Sequence, residues 1–127
     1  MLPNLPGLRS GDVLTRPKRW SPFTHTGVVV APNVVLHNTP ESGEHLSSYA
    51  DFAQGQRVRV IRRRVAPGFF SRIIAIVRRP KSYSPVTRNC EHTALEAVQG
   101  KSTSPQLFRS LVSISLGFLF IGFLRRR

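Results

Sequence analysis

Disulfide cross-linking is closed to this chain, which has a single cysteine in 127 residues. A metal cluster held by cysteines alone is excluded on the same ground. Acidic residues are nearly as scarce: 6 Asp+Glu face 19 Lys+Arg, a formal net charge of +13. Residues 1–10 lack the apolar core of a secretory signal, so the folded part is expected to be made and kept in the cytoplasm. There is no internal repeat and no low-complexity tract. At 40% hydrophobic, the composition is too apolar for a disordered basic tail. The length suits one domain, or a small domain with an appendage. Ten prolines and nine glycines predict many turns and short elements.

The basic residues cluster at Arg62–Arg64, at Arg78, Arg79 and Lys81, at Arg16, Lys18 and Arg19, and at the terminal Arg125–Arg127. Such an excess attracts polyanions, either nucleic acid or an anionic membrane surface. No recognition helix, zinc-finger spacing or RNP-like aromatic strand accompanies it, so no specific nucleic-acid partner is expected.

The C-terminal segment Leu111–Leu124 holds 14 residues without a charge and is followed by three arginines. As a helix it would rise ~21 Å, short of the about 20 apolar residues that usually span a bilayer. Leu107 and Phe108 extend it, and Arg109 can snorkel at its end. Apolar side chains on all sides of such a helix predict a membrane anchor, spanning or interfacial. A buried or interfacial C-terminal helix is the alternative. The chain thus divides into a body at 1–106 and a hydrophobic, basic-ended segment at 107–127, and the protein is expected to be membrane-associated.

Asp12–Thr15, His25–Val30, Val34–His37 and Arg57–Ile61 read as strands, the last half-buried because polar and apolar residues alternate. The second and third join through Ala31-Pro32-Asn33, with Asn33 suited to left-handed geometry. Residues 38–50 read as a polar loop. Phe69–Val77 reads as a core helix, and Asn89–Gln99 as a helix stopped by Gly100.

The chemistry concentrates at Asn89-Cys90-Glu91-His92 with His25 and His37. Asn89 is a good N-cap and places Cys90 in the first helical turn, where the helix terminus favours an anion and lowers a thiol pKa. A thiolate is the nucleophile of acyl transfer; an inert buried cysteine is the plainer reading. A three-residue hairpin loop pairs Gly27 with His37 and puts His25 on the same sheet face as His37. A thiol, a base and an orienting group can then line up. Glu91 and His92 orient or cap the helix start. Zinc at His25, His37, Cys90 and His92 is disfavoured because Cys90 and His92 point to different faces of one helix. No metal or cofactor is therefore expected. His45 is assigned no chemistry. The backbone N–H of Cys90 is a candidate oxyanion donor.

Ser10-Gly11-Asp12-Val13, His25-Thr26-Gly27-Val28, Val35-Leu36-His37 and Asn89-Cys90-Glu91-His92 occur in the order found in lecithin retinol acyltransferase-like proteins. Gly100-x-x-x-Ser104-x-Gln106 and an apolar C-terminal segment follow. The chain resembles this family, which includes small phospholipase A/acyltransferases, over roughly residues 10–124. The resemblance implies an α+β, circularly permuted papain-like (NlpC-type) fold: a small antiparallel sheet, a cysteine-bearing helix and a C-terminal apolar helix. It implies Cys90 as nucleophile, His25 as general base and His37 as third member, with Asn89, Glu91, His92 and Tyr83 in support. Tyr83 either supports the site through its hydroxyl or is a packed aromatic. The implied reaction moves a fatty acyl group from glycerophospholipid to the thiol, then to water, an amine or another lipid. Family members often carry an aromatic where this chain has Thr93. Two other readings use the same residues: a cysteine peptidase or amidase on this scaffold, and a non-catalytic basic membrane-binding module.

Overall fold

The computed structural model describes residues 7–101. The expected tail helix, Ser104, Gln106 and the boundary at 106/107 lie outside them. Among the described residues no helix is long and apolar enough to cross a membrane.

The architecture is α+β, as expected from the sequence. Five strands, β1 (Val13–Pro17), β2 (Thr24–Ala31), β3 (Val34–Thr39), β4 (Gly43–Ser47) and β5 (Arg59–Ile61), form an antiparallel sheet in the order β4-β3-β2-β1-β5. Three helices complete it: α1 (Tyr49–Ala53), α2 (Phe69–Arg78) and α3 (Cys90–Gln99).

The central strands are apolar on successive residues because both faces of the sheet are covered. Val13, Val28 and Leu36 pack on one face against Phe69, Ile73 and Ile76 of α2 and Ala94, Ala97 and Val98 of α3. Leu14, Val29 and Val35 pack on the other against Phe52 of α1. Arg72 of α2 ties the helices together. Its Nε donates to Ala97 O at 2.8 Å and its Nη2 to Val98 O at 3.1 Å, capping the last carbonyls of α3 with a cation.

Several sequence expectations need correction. The β2–β3 connection is a two-residue loop, Pro32-Asn33, since Ala31 pairs with Val34. A bulge between Val29 and Ala31 absorbs one residue, so Gly27 still faces His37. The expected pairing is present, produced by a bulge instead of a longer loop; Asn33 is left-handed, at φ 56°. Residues 38–50 are not a loop. They complete β3 and contain β4 and the start of α1. The strand at 57–61 shortens to Arg59–Ile61 and is mostly exposed.

Gly27 lets Phe52 come close to the sheet. A Cβ there would lie 2.7 Å from Phe52 Cε2 and 2.8 Å from Val35 Cγ1. Gly27→Ala is expected to destabilise the fold by about 1–3 kcal/mol, the usual range for overpacking, read as a lower urea midpoint with unchanged slope.

Candidate active site

His25 and His37 lie on neighbouring strands and on the sheet face that α1 covers. Their rings meet at 2.9 Å, His25 Nε2 to His37 Nδ1, both residues being buried. His37 Nε2 continues to Ser47 Oγ at 2.8 Å, and Ser47 Oγ donates to Ser48 O at 3.0 Å. One proton order of the neutral groups satisfies every bond of this chain. The Ser47 hydroxyl hydrogen goes to Ser48 O, so Ser47 Oγ accepts from His37 Nε2–H. His37 Nδ1 is then a lone pair that accepts from His25 Nε2–H. The tautomers follow from the hydrogen-bond network, and they leave the lone pair of His25 on Nδ1. Phe52 holds both rings, stacked on His25 at 5.3 Å and edge-on to His37 at 5.4 Å between centroids.

Cys90 approaches from the other layer. Val29 exchanges hydrogen bonds with the segment leading into β1, its N–H to Asp12 O and its carbonyl from Gly11 N–H. By strand alternation, the N–H and C=O of Thr24 and Thr26 therefore point toward β3. The β2–β3 ladder ends at Gly27–His37. The thiol occupies the opening beyond it: Cys90 Sγ is 4.0 Å from Thr24 O, and the Thr26 N–H also faces it. The nucleophile candidate thus sits beside the strand residues that flank His25.

Asn89 caps α3 as expected, with φ −97° and ψ −178°. Its Oδ1 accepts from Glu91 N at 3.0 Å and His92 N at 3.1 Å. His92 Nδ1 accepts in return from Asn89 N at 3.1 Å, closing a capping box. His92 therefore orients the helix start, while Glu91 is buried in its first turn.

Behind the thiol lies a buried ionic cluster that the sequence reading missed. Glu44 of β4 pairs with Arg88 and accepts from Thr93 Oγ1 at 3.0 Å and from Lys81 N at 2.8 Å. Arg88 also pairs with Glu96. Asn38 Nδ2 donates to Arg88 O at 3.0 Å and to Thr93 Oγ1 at 3.2 Å. Thr93, where the resembling family often has an aromatic, is fully buried in this cluster. A hydroxyl fits there because Glu44 and Asn38 are its neighbours. Together these bonds fix Arg88, two residues before Cys90, and Thr93 of α3 to the end of β3 and the start of β4.

Tyr83 lies in the segment between α2 and α3. It is half-buried against the β3–β4 turn, lining a shallow cavity with Pro40, Glu41, Ser42 and Gly43. His45 belongs to β4 rather than a loop; its ring lies 4.3 Å from that of His37 and its Nδ1 meets Gly43 O at 2.7 Å. Among the described residues no group of three or more His, Cys, Asp or Glu side chains is arranged to hold a metal ion.

The electrostatics differ from the sequence expectation at the cysteine. Burial pushes the thiol above its ordinary pKa, and Lys18 with the N–H groups of Thr26 and Glu91 only partly offsets it. The resting group is a neutral thiol, because desolvation outweighs the helix terminus. Burial also pushes His25 down to about 3, helped by His37, and His37 down to about 4, helped by His45. Both imidazoles are therefore neutral at pH 7, which preserves the lone pair on His25.

These depressed values bear on stability. The unfolded histidines titrate near 6.5, so below that pH the unfolded chain binds protons that the folded pair refuses. The stabilisation is complete above pH ~6.5 and is lost as pH falls through 6.5 toward 4 and 3. Each imidazole accounts for about 2 kcal/mol between pH 7 and pH 5. Urea melts at the two pH values are expected to differ by about 2–4 kcal/mol, and a His25→Asn, His37→Asn double variant should lose most of that difference. An unchanged pH dependence in the variant would contradict the assignment.

No protein-family model matches the chain, and a search of curated proteins found no match.

Proposed function

We propose that this chain is a membrane-associated thiol acyltransferase of phospholipase A type, built as a lecithin retinol acyltransferase-like protein. Under this reading the fold is a permuted papain-like one, with the histidine strands preceding the cysteine helix. Residues 107–127 form its C-terminal apolar anchor, and the body faces the cytoplasm. The observation that carries the proposal is the hydrogen-bonded chain Ser47–His37–His25, which leaves an unprotonated Nδ1 on His25, in the strand beside a helix-start thiol. A structural histidine pair has no need of that order of tautomers; a general base does.

In the proposed cycle His25 Nδ1 takes the thiol proton as Cys90 Sγ attacks the ester carbonyl of a glycerophospholipid. The carbonyl π electrons move to oxygen as the C–S bond forms; the tetrahedral oxyanion then collapses, the C–O bond to glycerol breaks, and the proton on His25 passes to the departing lysolipid oxygen. The acyl group is left as a thioester. Water, an amine or a lipid hydroxyl then attacks it, giving its proton to His25, and the thiol is regenerated. A neutral resting thiol suits this sequence, since charge develops only when substrate is present. His37 orients His25 and shares the positive charge that forms on it.

The test incubates the full chain with phosphatidylcholine vesicles and, separately, with a peptide and amide panel. Lysolipid and free or transferred fatty acid are the expected products. Amine release from the panel with no lipid turnover would reassign the scaffold to a peptidase or amidase. Turnover of neither would leave a non-catalytic binding module.

A further inference from the structure

We propose that the β1–β2 loop, residues 18–23, is a bilayer-docking element that sits at the headgroup level of an anionic membrane and sets the thiol against it. This rests on the lipid reading of the Cys90 site for its purpose, but its observations are separate.

Trp20, the protein's sole tryptophan, is fully exposed. Its backbone is left-handed, at φ 62°, a conformation that bulky residues rarely adopt. The loop is nonetheless closed by bonds of its own: Lys18 N–H donates to Phe23 O at 3.1 Å and Phe23 N–H to Ser21 Oγ at 3.1 Å. The indole is thus carried outward on a tied turn, with Phe23, 40% exposed, beside it. A tryptophan and a phenylalanine flanked by Lys18 and Arg19 have the composition of an interfacial anchor, since an indole is amphipathic and settles at headgroup depth.

The stems of the loop lead to the site. Pro17 and Thr24 line a cavity of about 430 Å³ with Thr15, Arg16, Arg57 and Arg59. Thr24 O is the atom that Cys90 Sγ approaches. Arg57 and Arg59 are exposed, so a phosphate held there would lie on the far side of Thr24 from the thiol. Charge complementarity is one-sided: no acidic residue occurs between Asp12 and Glu41 or between Asp51 and Glu91. Anionic headgroups satisfy both halves of this surface, phosphate at the arginines and the apolar boundary at Trp20 and Phe23. A duplex would satisfy the cations and leave the aromatic tip in water.

Because Trp20 is alone, its fluorescence reports on this loop and on no other part of the chain, whatever else tethers the protein. The full-length Cys90→Ala protein is titrated with vesicles of phosphatidylcholine and phosphatidylserine, plain or brominated in the acyl chains. The expected result is a blue-shifted emission maximum and quenching by the brominated lipid, both persisting in high salt once bound. The wild-type protein and a Trp20→Ser, Phe23→Ser variant are then compared for vesicle turnover and for turnover of a water-soluble short-chain acyl ester. The variant should lose about tenfold on vesicles, the equivalent of ~1.4 kcal/mol of interfacial binding, and keep its rate on the soluble ester. Emission unchanged on vesicles that sediment the protein overturns the proposal. So does a shift caused by duplex DNA and not by vesicles, or an equal loss on both substrates. A shift without lipid turnover by the wild type sinks the catalytic reading and leaves the docking element standing; turnover without a shift does the reverse.

Discussion

Cys90→Ala is expected to abolish lipid turnover, by about 10⁴-fold or more, the scale on which enzymes lose rate when a covalent nucleophile is removed. Cys90 is the chain's only thiol, and His25 Nδ1 can do no more than activate water once the sulfur is gone. Stability should barely change. Cys90 is buried, but its Sγ makes only weak sulfur contacts, a long one to Thr24 O and others with the N–H groups of Thr26 and Glu91, and alanine keeps the helix that Asn89 caps. An alanine variant that melts with the wild type and has lost turnover isolates chemistry from folding. Turnover equal to the wild type would remove the thiol from the mechanism.

The second large effect lies at Glu44, away from the reacting atoms. Glu44→Ala removes the carboxylate that receives Arg88, Thr93 and Lys81 N, and deprives the buried Arg88 guanidinium of one ion pair, leaving that with the part-exposed Glu96. Breaking a buried pair from one side costs about 3–5 kcal/mol, which in a domain of this size lowers the melting temperature by roughly 15 °C or more. Replacing both partners, Glu44→Leu with Arg88→Met, should be milder, since the charge that then loses its partner is Glu96, whose side chain is part-exposed where that of Arg88 is buried. Glu44 is a positioning residue: it holds the segment entering Cys90, so a folded Glu44→Gln protein should lose rate on lipid without a change in the pH dependence set by the histidines. Thermal melts of the three variants check the order; a double variant less stable than Glu44→Ala would contradict the stranded-charge account.

How far the sequence led depended on the range of each signal. The α3 helix was legible because its cap and stop are local: Asn89 before the apolar positions, Gly100 after them. The face shared by His25 and His37 was legible through register, yet for an incomplete reason. A bulge at Val30 does what a three-residue loop was expected to do, and bulges leave little trace in a run of valines. Residues 38–50 looked polar because β4 lies at the sheet edge and needs few apolar side chains. A usable cue was present there. Ser48-x-x-Asp51 carries the spacing of a helix start, and Ser48 Oγ does accept from Asp51 N at 3.1 Å. Recognising α1 would have placed Phe52 over the imidazoles.

The buried cluster was not legible at all. Glu44 and Arg88 are 44 residues apart, and nothing local in either marks it as buried. In a chain with 19 Lys+Arg, nothing local distinguishes Arg88 from the surface cations. The thiol's electrostatics were misjudged for a related reason: a helix terminus can be read from sequence, and desolvation cannot. The surrounding layers decide it, and here they raise the pKa that the helix was expected to lower.

In the proposed mechanism an acyl group passes through Cys90. Intact-protein mass spectrometry of the full chain, quenched in acid within the first turnovers on phosphatidylcholine vesicles, tests it most directly. The predicted result is a mass increase of one fatty acyl group, mapped to Cys90, discharged by hydroxylamine at neutral pH and absent from Cys90→Ala. Lipid turnover at full rate with no adduct on Cys90 at any quench time, or an adduct that survives hydroxylamine, would contradict it.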